Sequence, residues 1–126
     1  MKIAELNHVA LRVRDVDASV RFYRDVLGLP VLPRPAFNFN GAWFRLGVCQ
    51  ELHLIEGETT GPGSESSRNN HFALRVEDFA AAAQQAQSSG AVFRGPVVRP
   101  DGARQIFLKD PDGHVLELCG DLPNAD

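Results

Sequence analysis

The chain has 126 residues, 44% hydrophobic and 23% charged, the composition of one globular domain and not of a disordered, collagen-like or coiled-coil chain. Its 13 basic and 16 acidic side chains leave a net charge of -3 with no basic run, which argues against nucleic acid or an anionic membrane as partner. No stretch reads as a membrane span or signal peptide, so a cytoplasmic protein is expected, and Cys49 and Cys119 read as buried free thiols.

The first predicted element is a strand in which His8, Ala10 and Arg12 face one way and Val9, Leu11 and Val13 the other. A helix follows, with Asp17 as its cap, Val20, Tyr23, Val26 and Leu27 as its apolar stripe and Gly28 as its stop. Strands are expected over residues 29–32, 42–47 and 51–55, and residues 58–69 have the Gly, Ser and Thr content of a connector.

The pattern then begins again. Residues 7–16 align at an offset of 63 with residues 70–79, and seven of the ten pairs are identical. His71, Ala73 and Arg75 take one strand face and Phe72, Leu74 and Val76 the other. Asp78 caps a helix with Phe79, Ala82, Ala83 and Ala86 on one side and Gly90 as the stop. Strands follow over residues 92–98, 104–109 and 115–119, the last two joined by a turn at Asp110-Pro111-Asp112-Gly113. Each copy therefore reads βαβββ, an α+β chain of module one (1–57), connector (58–69) and module two (70–122) within one domain. One such unit buries only one sheet face, so the copies are expected to pack together, within one chain or by exchange between two.

Aligning the last strands sets His53 against Glu117. Each is flanked by leucines of opposite parity, which turns both toward the face that His8 and His71 occupy. Three imidazoles and a carboxylate suit one borderline divalent ion per site, Zn, Ni, Co, Fe or Mn, without choosing among them. His114 has the wrong strand parity and is left out. Glu51 shares the face of His53 but reads as a solvated strand-end carboxylate in preference to a partner of that histidine. Arg12 and Arg75 share the ligand face, Arg75 as a surface ion-pairing residue. The aromatic run from Phe37 to Phe44 fits either core packing or a wall of the site.

With these residues in place, the sequence resembles the vicinal oxygen chelate superfamily: glyoxalase I, fosfomycin thiol transferases, extradiol dioxygenases, methylmalonyl-CoA epimerase and bleomycin-binding proteins. The likeness spans nearly the whole chain and lies in His8 with the following Leu-Arg-Val, in Ser-Val-Arg-Phe-Tyr-Arg-Asp-Val-Leu-Gly from Ser19, in Asn70-His71 and in Asp-Pro-Asp-Gly-His-Val-Leu-Glu-Leu from Asp110. It implies that the two modules pair into a curled mixed sheet forming a metal-binding cup, often in a homodimer, with ligands at His8, His53, His71 and Glu117. It also implies a small-molecule substrate, with Arg12 holding a substrate carboxylate and Glu117 acting as both ligand and catalytic base.

The pattern is closest to glyoxalase-I-like proteins and points to a lyase or isomerase acting on a small carbonyl compound or its thiol adduct. Two departures stand against glyoxalase I itself: His53 replaces a glutamate, and Gly57 an asparagine that helps to bind glutathione. Ala10 and Phe107 replace the threonine and tyrosine of fosfomycin enzymes, and Phe107 also replaces a tyrosine of extradiol dioxygenases. Those activities, an epimerase, and a metal-free drug-binding resistance protein remain the alternatives.

Overall fold

Alternating side chains and two capping aspartates produce the same local order twice in the computed structural model, which describes residues 1–59 and 70–120. The strands and helices are β1 (His8–Val13), α1 (Val16–Arg21), β2 (Val31–Leu32), β3 (Gly41–Leu46), β4 (Gln50–Glu56), β5 (His71–Arg75), α2 (Phe79–Ser89), β6 (Val92–Val98), β7 (Arg104–Lys109) and β8 (Val115–Cys119). They form two four-stranded mixed sheets, ordered β1-β4-β3-β2 and β5-β8-β7-β6. The fold is thus α+β with two βαβββ modules, and contacts divide the chain into two compact units, Met1–Thr60 and Gly61–Asp126. Of the expected connector, residues 60–69 lie outside the described residues.

In the first unit the inward side chains of β3 and β4, Phe44, Leu52 and Leu54, are fully buried together with Val13 and Tyr23. The Tyr23 ring meets the rings of Phe22 at 5.0 Å and Phe44 at 6.0 Å. The apolar stripe of the helix is carried by Phe22 and Tyr23, with Val20, Val26 and Leu27 only half-buried. In the second unit Phe79, Ala83 and Ala86 of α2 and Ile106, Leu108, Leu116 and Leu118 of the sheet are buried.

Four expectations change. The cap of α1 is Asp15, not Asp17: Asp15 is extended and its carboxylate accepts from Ala18 N–H at 3.1 Å, as Asp78 does from Ala81 N–H at 3.0 Å. Beyond Arg21 the helix widens into a π turn over Phe22–Val26, where Leu27 N–H donates to Phe22 C=O at 3.3 Å, and Gly28 then adopts a left-handed φ of 69°. Strand β2 is only two residues long, because Pro30 and Pro33 flank it and lack the N–H that a ladder needs. Cys49 is exposed, in the tight turn between β3 and β4. Desolvation, followed by the neighbouring Glu5 carboxylate at 3.5 Å, pushes its thiol above the usual range. Cys119 is half-buried.

Candidate functional site

The register of the first sheet assembles its site side chains. Parallel pairing sets Ala10 opposite His53 and His8 opposite Glu51, so His8 and His53 emerge from neighbouring strands one step apart. Their rings stack at 4.3 Å and 17°. Antiparallel pairing sets Trp43 opposite His53, and the indole covers the other face of that imidazole at 4.0 Å and 5°. His53 is thereby sandwiched between two rings.

Its Nε2 donates to Glu51 Oε1 at 2.9 Å, while Glu51 Oε2 lies 3.9 Å from Arg45 Nη1. Glu51 is therefore a partner of His53 and not a solvated strand end: the face they share was expected, and the hydrogen bond across it is what corrects the reading. A carboxylate oxygen only accepts, so Nε2 carries the proton of neutral His53. His8 shows the opposite arrangement, with Nδ1 bonded to Asn7 Oδ1 at 2.8 Å.

The second sheet repeats the register with different chemistry. Glu117 stands opposite Ala73 on β5 and Phe107 on β7. Its residue surface is 5% exposed, and both oxygens are bonded: His71 Nε2 donates to Oε2 at 3.2 Å and Gln105 Nε2 to Oε1 at 2.8 Å. His71 meets the edge of Phe107 at 5.7 Å. A carboxylate this buried is tolerated because its oxygens are hydrogen-bonded.

The four expected ligands thus occur as two pairs, one in each unit, and among the described residues no three His, Cys, Asp or Glu side chains form a group able to hold a metal ion. Arg12 and Arg75 are exposed on the strand faces assigned to them. Arg12 leans over Gly57, its Cδ 3.1 Å from where a Cβ at that glycine would sit. His114 belongs to the last turn, its N–H bonded to Asp110 Oδ1 at 2.8 Å. Within the aromatic run Phe44 is core, whereas Trp43 covers His53 and meets Phe37 at 6.1 Å; Phe37 stacks on Phe39 at 5.0 Å, and both are exposed. A separate polar cleft of about 320 Å³, lined by Asp15, Asp17, Arg34, Asn40, Gly41 and Glu56 among others, holds none of the expected site residues.

Asn7 and Gln105 were not legible as site neighbours, and the sequence left Trp43 open between core and site wall, which its stacking on His53 decides for the site. Cross-strand register was the missing signal: once β3 and β7 are placed, Trp43 and Phe107 fall opposite His53 and Glu117, and Gln105 two residues from Phe107.

Residues 5–118 match the family model described as "Glyoxalase/Bleomycin resistance protein/Dioxygenase superfamily". A lactoylglutathione lyase of Salmonella typhimurium is 36% identical over 124 residues, covering 90% of either chain. A glutathione transferase FosA of Serratia marcescens is 35% identical over 120 residues, covering 92% of this chain and 80% of that one. Among solved structures, a putative glyoxalase family protein from Bacillus anthracis superposes with a TM-score of 0.80 at 23% identity, covering 96% of this chain and 98% of its own. Among the described residues no helix is long and apolar enough to cross a membrane.

Proposed function

Because the chain belongs to the glyoxalase, bleomycin resistance protein and dioxygenase superfamily and is an enzyme by its kinship with the lactoylglutathione lyases, we propose that it is a divalent-metal-dependent lyase or isomerase acting on a small carbonyl compound or its thiol adduct. The observation that carries the reading is the buried Glu117, bonded to His71 at 3.2 Å and at the register position that His53 holds in the first sheet.

The donor chemistry suits the ion. His8 Nε2 and His53 Nδ1 carry no hydrogen bond among the described residues and keep their lone pairs, and an ion on His71 and Glu117 would replace the bond between them. Bound by His8, His53, His71 and Glu117, a divalent metal such as Zn, Ni, Co, Fe or Mn supplies Lewis-acid polarisation of a substrate oxygen.

The chain's own groups supply the rest. Glu117 takes a proton from the carbon beside the carbonyl and returns it to the neighbouring carbon, the work of a general base that then acts as acid. Gln105 donates to Oε1 of that carboxylate at 2.8 Å and so holds the side chain in place for the transfer. Arg12, exposed and cationic, binds a substrate carboxylate at the rim.

In this reading the two modules act as one domain, pair into a curled cup and dimerise, with a total interface on the order of 1,500 Å²; light scattering showing a monomer at micromolar concentration counts against the dimer. A second reading, addition of a thiol to a small electrophile, is supported by the likeness to FosA. Protein loaded with each metal and given the hemithioacetal of methylglyoxal with glutathione, or with other cellular thiols, is expected to turn it over. Metal-bound protein that leaves these adducts unchanged but consumes thiol against an epoxide such as fosfomycin supports the second reading and overturns the first.

A further inference from the structure

We propose that Glu51 is a positioning residue: it fixes His53 in one ring orientation and one tautomer, so that Nδ1, not Nε2, is the nitrogen that His53 offers to a metal. This rests on the reading of His53 as a ligand.

An imidazole on a strand has two freedoms that decide which nitrogen it presents. The plane of the ring is set by its neighbours, here Trp43 at 4.0 Å on one face and His8 at 4.3 Å on the other. Stacking is blind to a half-turn about the Cβ–Cγ bond, which returns the ring to the same plane and exchanges Nδ1 with Cδ2 and Nε2 with Cε1. Glu51 removes this ambiguity, because only one of the two orientations puts an N–H against Oε1 at 2.9 Å. The same bond places the proton on Nε2 and leaves the lone pair on Nδ1. With a side chain 24% exposed and Oε2 lying 3.9 Å from Arg45, Glu51 is itself partly shielded and anchored.

The second module shows why the device is found in only one sheet. His71 pairs with Val115 where His8 pairs with Glu51, so valine takes the position equivalent to Glu51. The ligand there is Glu117, whose ionised oxygens are chemically alike and need no choice of tautomer. A donor on the next strand, Gln105, is enough to hold it. A carboxylate beside the ligand accompanies the imidazole and not the carboxylate. Asn7 acts on His8 in the reverse sense, so the two stacked rings offer opposite nitrogens, Nε2 from His8 and Nδ1 from His53.

The test is made on the whole protein. Nitrogen-15 NMR of the metal-free wild type is expected to show His53 as the Nε2–H tautomer; a dominant Nδ1–H form overturns the proposal without any variant being needed. Titration with zinc or nickel alone is then compared across variants. Glu51→Gln keeps an acceptor oxygen and should bind within about 3-fold of wild type, whereas Glu51→Ala should bind about 10- to 100-fold more weakly. Wild-type affinity in Glu51→Ala overturns the proposal, as does equal weakening in Glu51→Gln and Glu51→Ala. If His53→Ala binds metal as wild type does while His8→Ala does not, the inference about Glu51 fails and the metal reading stands. If the wild type binds neither ion, the proposed function fails with it.

Discussion

In the first sheet the position opposite Ala10 is a histidine held between two rings, and in the second the position opposite Ala73 is a glutamate held between an imidazole and an amide. The surrounding scaffold hardly differs: the same strand order, the same parallel pairing of first and last strands, the same aspartate cap. Burial separates them. β4 alternates between fully buried leucines and a half-buried His53, whereas Val115, Leu116, Glu117 and Leu118 of β8 are all buried. A duplicated framework therefore carries two different groups at one register position, a stacked imidazole in one sheet and a shielded, doubly hydrogen-bonded carboxylate in the other, by changing one residue and its immediate partners.

The sharpest way to test that division is to neutralise the carboxylate. Glu117→Gln should lower kcat by about 100- to 10,000-fold with little change in substrate binding, as expected for loss of a general base. Arg12→Ala should instead raise KM and leave kcat nearly unchanged, read in the same assay. An unchanged kcat in Glu117→Gln would remove the difference in role between the sheets.

The next effect tests their likeness. Leu52 and Leu116 occupy matching, fully buried places, so truncation to alanine should destabilise the protein by about 2 to 5 kcal/mol in either case, measured by urea unfolding. A much smaller loss at one site would show that the two cores are not equivalent.

Smaller still are the caps. Asp15→Ala and Asp78→Ala should each cost about 1 kcal/mol, and Asp17→Ala should fall within about 0.5 kcal/mol of wild type in the same measurement.

The smallest expected effect concerns a loop that the units build differently. Between β2 and β3 the guanidinium of Arg34 lies over the rings of Phe37 and Phe39, whereas between β6 and β7 Arg99 grips Asp101 through two bonds of 2.8 and 2.6 Å. Those bonds, with the Ala103 N–H, hold the Asp101 carboxyl down to about 2. A depressed carboxyl contributes stability that is present above its unfolded value of about 4 and is lost as pH falls toward 2. Asp101→Asn should flatten that part of the stability profile slightly, the pair being fully exposed.

Much of this comparison was already legible in the chain. Strands β6, β7 and β8 begin and end where alternation and turn residues place them, because Gly90 and the Asp110 to Gly113 turn punctuate them sharply. The cap of α1 was misplaced because two aspartates stand two residues apart, although the repeat itself aligns Asp15 with Asp78. Side chains two apart on one strand could be assigned to a common face from sequence, which brought His53 and Glu51 together. What could not be read was their hydrogen bond, or the neighbours contributed by β3 and β7, since cross-strand register depends on turn geometry and on where prolines cut a ladder short.

The indole of Trp43 is the only one in the chain, and it lies almost parallel to His53 at 4.0 Å. Contact of this kind couples an excited indole to the electronic state of the imidazole beneath it. Ligation of His53 should therefore change the emission of the chain's single indole, so the protein carries an intrinsic optical reporter beside that histidine.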